Sequence, residues 1–116
     1  MGASVLVDSN VYIGLLRRSL DPVKVLGDWI GEADLATCGM VRLEVERGLK
    51  VEKMRRSLGD FFNVLINVPT SNKIWEQATT LAWMLDRCGK TLPAQDILIA
   101  ACAKELGAAV LTDDAL

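Results

Sequence analysis

Acidic side chains are the groups in this sequence whose type and spacing could do chemistry. Asp8 directly follows the apolar run 5–7, and Asp113 and Asp114 follow the apolar run 109–111. We predict both runs to be strands of an open α/β sheet, where ligands bind outside the carboxyl ends of inner strands. Each position also has an explanation without a functional role. Asp8 could be a turn acid that caps a helix, and Asp113 and Asp114 could lie in a solvated turn.

Asp96 is the next unusual acid. It lies in the first turn after Pro93, directly before the apolar run 97–103. A helix that is apolar on all sides is buried, so we expect Asp96 to be held near the core at the amino end of this helix. The helix dipole favours a carboxylate there, although an ordinary first-turn acid gives the same pattern.

Glu44 is predicted to point inward from the helix that follows the second strand. Its neighbours at i−4, i−3, i+1 and i+4 are all non-polar, whereas Glu46 shares a side with Arg42 and Lys50 and is expected to be solvated. The alternative for Glu44 is a surface salt bridge.

The chain has no histidine, which excludes histidine-based triads, histidine metal ligands and histidine general bases. Carboxylates gathered in one cleft repel each other unless a positive charge compensates them. In a chain without histidine, the simplest positive charge that could offset this repulsion is Mg²⁺ or Mn²⁺. Such an ion prefers oxygen ligands and can activate water for in-line phosphoryl transfer. An acidic metal site without other catalytic groups therefore predicts phosphodiester hydrolysis.

Composition indicates one globular domain, since the chain has 116 residues of which 51% are hydrophobic. The longest apolar run, 97–103, is too short to span a bilayer, and no export leader is visible, so we expect a cytoplasmic protein without a membrane partner. Cys38, Cys88 and Cys102 lack CxxC spacing and are expected to be free buried thiols. The net charge of −2 would reverse its sign if a metal neutralised four acids, so it decides nothing about a polyanionic partner.

The elements that must position these acids follow from apolar periodicity and turn residues. Strands are predicted at 5–7, 33–37, 64–68 and 109–111. Helices are predicted at 11–16, 22–30, 40–48, 51–62, 72–87 and 93–106, the first capped by Ser9 or Asn10. Strands that alternate with helical segments predict an α/β sandwich with a largely parallel sheet.

Four motifs, taken together and in order, resemble the PIN-domain ribonucleases. They are VLVDSNVYI at 5–13, VRLEVERG at 41–48, LPAQDILIAACAKELG at 92–107 and AVLTDDAL at 109–116. The pattern across 89–103 is the most distinctive. Within the family, the chain is most similar to VapC-like toxins of type II toxin–antitoxin pairs.

The resemblance implies a metal-dependent endoribonuclease that uses Mg²⁺ or Mn²⁺. It implies a catalytic quartet of Asp8, Glu44, Asp96 and Asp114, in which the three aspartates bind metal and Glu44 binds it directly or through water. The family acid stands two residues after the Thr, which selects Asp114 and leaves Asp113 as the alternate ligand. Ser9, Asn10 and Thr112 match the supporting residues of the family.

The resemblance also implies a fold and partners. The expected fold is a PIN-like three-layer sandwich, in which helices flank a twisted and mainly parallel sheet. The expected partners are an RNA substrate, a second copy of the chain, and a small antitoxin that binds across or beside the acidic cleft. Family members normally continue past the last acid with a further strand, so residues 1–116 are expected to form one domain that is short at its C-terminal end.

Two alternatives to a working nuclease remain open on the sequence. The first is a catalytically impaired PIN-like module that binds RNA or protein. The second is a receiver-like phosphoacceptor domain, which would normally have an acid pair after its first strand and a Lys after its last. Here a single acid, Asp8, follows the first strand, and the pair Asp113–Asp114 comes last.

Basic and tryptophan residues are candidates for contacts with partners. The segment 42–56 carries six Lys or Arg residues, and Arg17 and Arg18 follow the first helix. Some of these could bind RNA phosphates, although a solvated helix face or an antitoxin contact would explain the same pattern. Trp29, Trp75 and Trp83 are interpreted as core or dimer anchors rather than as platforms for base stacking.

Overall fold

The computed structural model describes residues 3–113 and shows strands alternating with helices along the chain. The strands are β1 (Ser4–Val7), β2 (Asp34–Cys38), β3 (Ile66–Val68) and β4 (Ala109–Leu111). The helices are α1 (Ser9–Arg17), α2 (Pro22–Gly27), α3 (Gly39–Arg47), α4 (Glu52–Val64), α5 (Asn72–Arg87) and α6 (Ala94–Leu106).

The four strands form one sheet in the order β3-β2-β1-β4, with every neighbouring pair parallel. Val5 of β1 is in register with Leu35 on one side and with Ala109 on the other. The first strand of the chain is therefore an inner strand, which agrees with its apolar sequence. The prediction of an α/β fold with a parallel sheet is confirmed.

The helices lie in two groups because the chain reverses its direction across the sheet. From β1 to β3 the strands step one way, and α1 to α4 occupy the connections and pack on one another. From β3 the chain crosses back to β4 through α5 and α6, which pack together. Right-handed crossovers in opposite directions place the two groups on opposite faces of the sheet. The direction reverses between β1 and β4, and the crevice at their carboxyl ends is where such sheets bind ligands.

The core is formed by the inner strands and by α6. Leu6 and Val7 of β1 are fully buried, and Tyr12 of α1 packs edge-on against Phe62 of α4 with 5.1 Å between ring centroids. In α6, six of the seven residues in the run 97–103 are buried, as its all-apolar sequence predicts. Across residues 3–113, no helix is both long and apolar enough to cross a bilayer.

Several element boundaries differ from the sequence prediction, most of all at the end of α2 and between α4 and β3. Helix α2 ends at Gly27 instead of near Ile30, and the chain then turns until β2 begins. Helix α4 continues through Val64, so β3 begins at Ile66 and not at residue 64. The apolar run 64–68 was ambiguous because the exposed Val64 belongs to the outer side of a helix whose inner side buries Phe61 and Phe62.

The burial of the cysteines and tryptophans differs in part from the sequence prediction. Cys38 and Cys102 are buried and free, but Cys88 is exposed, so the expectation of a buried thiol is wrong there. The tryptophans at 29, 75 and 83 are all exposed, which excludes a core role for each. The exposed tryptophans are therefore candidates for dimer contacts or for base stacking.

Candidate active site

Asp8 stands at the carboxyl end of β1 and caps α1. Its Oδ1 accepts a hydrogen bond from the backbone N–H of Ser9 at 2.7 Å, and its own N–H donates to the Leu111 carbonyl of β4 at 2.9 Å. The N-cap is therefore Asp8, and the prediction that Ser9 or Asn10 caps the helix is wrong. Capping and a site role are compatible, because a carboxylate has a second oxygen.

Ser9 links Asp8 to Glu44 across the carboxyl edge of the sheet. Its buried hydroxyl lies 3.1 Å from Glu44 Oε1 and 3.4 Å from Asp8 Oδ1. Glu44 is partly buried on α3, whereas Glu46 forms the ion pairs of this helix with Arg42 and Arg55. The side chain of Glu44 is thus directed toward Asp8, as its non-polar neighbours predict.

Asp96 lies in the first turn of α6, a helix that contacts both β1 and α3. Partial burial raises the pKa of Asp96, and the negative charge of Asp8 raises it further. The second cause is electrostatic repulsion between the two carboxylates. Asp96 itself is exposed, so the expectation that it is held near the core is wrong, and the buried part of α6 begins at Ile97.

Asn10 and Thr112 join β4 to the same site. The Asn10 side-chain amide donates to Thr112 Oγ1 at 2.9 Å, and the Thr112 hydroxyl lies 3.4 Å from Asp8 Oδ2. Because the Thr112 oxygen already accepts from Asn10, its hydroxyl hydrogen is directed to Asp8 Oδ2. Asn10 also binds the main chain of Asp113, accepting from its N–H at 3.0 Å and donating to its carbonyl at 3.2 Å.

The carboxylate of Asp113 faces α1. Its Oδ2 lies 3.3 Å from the Arg18 guanidinium, and a Cβ built on Gly14 would be only 2.8 Å from the same oxygen. Sequence reasoning did not single out Gly14, and treated Arg18 only as a candidate RNA contact. The four-residue spacing of Asn10, Gly14 and Arg18 is the signal that could have found this contact. Asp114 falls outside the described residues.

The candidate site offers carboxylate oxygens, which are ligands that Mg²⁺ and Mn²⁺ prefer. Within residues 3–113, no three Asp, Glu or Cys side chains form a group that could hold a metal ion. Magnesium is commonly bound by one or two carboxylates together with waters and substrate phosphates, so a complete protein cage is not required. The carboxylates of Asp8 and Asp96 repel each other, and Glu44 is linked to Asp8 through Ser9. The carboxylate oxygens of Asp8 and Asp96, with waters and substrate phosphates as further ligands, fit such an ion.

Several solved structures are similar to this chain in fold. VapBC2 of Rickettsia felis, bound to a DNA fragment from its promoter, has a TM-score of 0.76 at 21% identity, covering 96% of this chain and 87% of that one. DNA-bound VapBC of Salmonella typhimurium has a TM-score of 0.77 at 16% identity, covering 97% and 87%. Mycobacterium tuberculosis VapC20, described as a Sarcin-Ricin loop cleaving toxin, has a TM-score of 0.69 at 16% identity, covering 97% and 91%.

At these identities the structural likeness shows the fold. A comparison with curated protein sequences finds no match. The model of the PIN domain family matches residues 5–115, a range that contains every candidate site residue. The chain therefore belongs to the PIN domain family, as its four motifs predicted.

Proposed function

We propose that this protein is a metal-dependent endoribonuclease that acts in the cytoplasm as the toxin of a toxin–antitoxin pair. The observation that carries the proposal is the hydrogen-bonded link from Asp8 through Ser9 to Glu44 at the carboxyl edge of the sheet. The pKa of Asp96 is raised by burial and by the charge of Asp8, which supports a place for Asp96 in the same site. These acids come from β1, α3 and α6, and Thr112 reaches the same point from β4. Membership of the PIN domain family and the fold shared with VapC toxins support the same function.

Each site residue has a separate role in this proposal. Asp8, Asp96 and Asp114 would hold Mg²⁺ or Mn²⁺, and Glu44 would contribute to the site directly or through water. When bound, such an ion activates water and stabilises the charge that develops on the phosphate. Ser9 and Thr112 hold the Asp8 carboxylate from opposite oxygens, and Asn10 orients the Thr112 hydroxyl.

We infer that Asp114, and not Asp113, is the fourth acid of the catalytic quartet. The Asp113 carboxylate is paired with the Arg18 guanidinium, which offsets the charge that a metal ligand would contribute. Asp113→Asn is therefore expected to retain more Mn²⁺-dependent cleavage than Asp114→Asn. Equal loss in both variants, or a greater loss in Asp113→Asn, would assign the role to Asp113.

RNA cleavage in the presence of Mn²⁺, with EDTA as control, tests the proposed reaction. Asp8→Asn and Asp96→Asn should each reduce the rate by at least about 100-fold, the scale on which loss of charge stabilisation acts. Asp60→Asn is the matched control, because Asp60 is exposed on α4, outside the site. Wild-type rates in both site variants would remove the proposed mechanism.

The alternative of an impaired binding module makes a different prediction in the same assay. Such a protein would bind RNA but would not cleave it at any concentration of Mn²⁺ or Mg²⁺. The receiver-like alternative requires a phosphorylated aspartate instead, and incubation with a small phosphodonor such as acetyl phosphate would increase the mass of the protein by one phosphoryl group.

We infer that a basic groove beside α1 contacts the RNA phosphates. Its apolar floor includes Leu16, Leu49 and Met54, and its rim includes Lys50 and Lys53, enclosing about 560 Å³. Ion pairs with Glu46 or Glu52 already engage three other basic residues of the segment 42–56, namely Arg42, Arg55 and Arg56. Lys50 and Lys53 are therefore better candidates for phosphate contacts.

Salt dependence tests this groove directly. Each phosphate contact that is lost should weaken binding and reduce the slope of log affinity against log salt by roughly 0.7 on single-stranded RNA. Lys50→Glu and Lys53→Glu should both do so, whereas Lys90→Glu makes the same charge change at an exposed position elsewhere. Equal slopes for all three variants would exclude the groove as the RNA contact.

The same groove suits an antitoxin. An apolar floor with a basic rim is complementary to an amphipathic segment that carries acidic residues. A partner bound there would cover Lys50 and Lys53 and so compete with RNA. Co-expression with the small protein encoded by an adjacent reading frame should yield a complex that Lys50→Glu weakens, and an unchanged complex would place the antitoxin elsewhere.

We also infer that the protein forms a homodimer through α5. Trp75 and Trp83 are exposed on this helix, and Leu92 is exposed just beyond it. The guanidinium of Arg87 lies 4.9 Å from the centre of the Trp83 ring. Tryptophan and arginine are enriched at interface hot spots, and a two-fold axis would pair this face with itself. A monomer mass at every concentration in analytical ultracentrifugation would contradict the dimer.

A further inference from the structure

Helix α1 and its C-cap residue, Arg18, present three residues that contact the segment after β4. Asn10, Gly14 and Arg18 are spaced by four residues, which places them above one another on one face. The Asn10 amide donates hydrogen bonds to Thr112 Oγ1 and to the Asp113 carbonyl, and the Arg18 guanidinium lies beside the Asp113 carboxylate. Gly14 lies next to the same carboxylate. The segment 112–113 therefore contacts α1 through the Thr112 hydroxyl, the Asp113 main chain and the Asp113 carboxylate.

Gly14 leaves room for the Asp113 carboxylate. An ideal Cβ at this position would lie 2.8 Å from Asp113 Oδ2, so an alanine there would displace this carboxylate, which is the end of a flexible side chain. Gly14 has no positive φ, so the requirement is for space and not for an unusual backbone conformation. Glycine in a helix interior is less stabilising than alanine. At position 14 this cost is accompanied by space for the Asp113 carboxylate.

Arg18 holds the carboxylate that Gly14 admits. The Arg18 side chain is 59% exposed and that of Asp113 is 27% exposed. An ion pair this accessible to water adds little to stability, because solvent screens it. Its geometric effect is larger, since it fixes the residue that directly follows Thr112.

We propose that Gly14 and Arg18 are positioning residues for the acidic site. They seat the segment 112–113 on α1, so that the Thr112 hydroxyl stays directed at Asp8 Oδ2. This inference rests on the proposed nuclease function for its effect on catalysis. The seating itself is independent of that function and can be measured separately.

Hydrogen exchange of the Asp113 backbone amide reports the seating, because this N–H donates to Asn10 Oδ1. Gly14→Ala and Arg18→Gln should each speed up exchange at Asp113 by about threefold, the scale of an exposed ion pair. Arg18→Lys should restore most of the protection. Gly27→Ala and Lys24→Gln are matched controls, because no atom lies within 4 Å of a Cβ at Gly27 and Lys24 is exposed on α2.

The kinetic readout separates positioning from a merely structural role. Gly14→Ala and Arg18→Gln should lower kcat for RNA cleavage several-fold and leave KM nearly unchanged, at an unfolding free energy equal to that of the controls. Coupling provides a second test. In an Asp113→Ala background, Gly14→Ala should have no further effect on kcat, because the clashing oxygen has gone.

The outcomes are distinguishable from failure of the nuclease proposal. Unchanged Asp113 exchange in both variants would overturn the seating, whatever the activity. Faster exchange with an unchanged kcat would overturn the positioning role while keeping the nuclease. If the wild-type protein does not cleave RNA, the proposed function fails, and the positioning role fails with it even where exchange confirms the seating.

Discussion

β1 and β4 are neighbours in the sheet, yet they hold their site residues by different means. β1 lies between two strands, and its Leu6 is fully buried, whereas β4 is a three-residue edge strand whose Val110 is 42% exposed. Both strands end at the acidic site, one with Asp8 and the other with Thr112. Asp8 is thus fixed by the sheet and the core, but Thr112 is fixed by side chains of α1.

The largest expected effect is on the inner strand. Leu6→Ala should lower the free energy of unfolding by about 2–5 kcal/mol, since it leaves a cavity in the middle of the core. Urea denaturation followed by circular dichroism measures it. A loss below about 1 kcal/mol would mean that the core around Leu6 collapses to fill the space. The inner strand β1 would then contribute no more to the unfolding free energy than β4 does.

Asn10→Ala tests the contacts that hold the edge strand. It removes the amide that donates to Thr112 and to the Asp113 carbonyl, and the oxygen that accepts from the Asp113 N–H. We expect a loss of about 1–2 kcal/mol in unfolding free energy, because these partly buried groups can turn to water. Catalysis should decline further than stability alone explains, which Mn²⁺-dependent cleavage below the unfolding transition would show.

Ser9→Ala removes the hydroxyl that joins Asp8 to Glu44. The expected loss is about 1 kcal/mol, the net value of one hydrogen bond to a charged and partly solvated acceptor. Thr79→Ala is the matched control, since its hydroxyl only bonds back to the Trp75 carbonyl on the exposed side of α5. Equal and negligible changes in thermal unfolding for the two variants would show that the Ser9 bridge contributes no stability.

The smallest expected effect is at the outer face of β4. Val110→Ala should change the unfolding free energy by no more than about 0.5 kcal/mol, as is usual for exposed positions. Chemical denaturation of this variant and of Leu6→Ala in parallel gives the comparison directly. A loss as large as that of Leu6→Ala would show that β4 is covered in solution, for example by a second copy of the chain.

The sequence was sufficient for the fold because local signals agreed with the global arrangement. The apolar run of α6, opened by Pro93 and ended by the left-handed Gly107, predicted a buried helix, and the structure has one over Ala94–Leu106. Strand β4 was predicted at its observed bounds. In contrast, the run 64–68 contains residues that suit both a helix and a strand, and packing of α4 on the core decided between them.

The site was only partly predictable for a different reason. Glu44 has non-polar helical neighbours, so its direction could be predicted from one helix alone. The contacts of Asn10 with Thr112 join residues 102 positions apart, and no local pattern encodes them. Exposure of the three tryptophans and of Asp96 likewise depends on which surfaces the other helices cover.

The place of β1 in the sheet has a consequence during synthesis. β1 precedes its partner β4 in the chain, and Asp8 and Thr112 are 104 positions apart. During synthesis, the Thr112 hydroxyl can reach Asp8 only after the residues between them have been translated and residue 112 has emerged from the ribosome. A nascent chain that has already made β1 therefore cannot yet hold the Asp8 carboxylate from both sides.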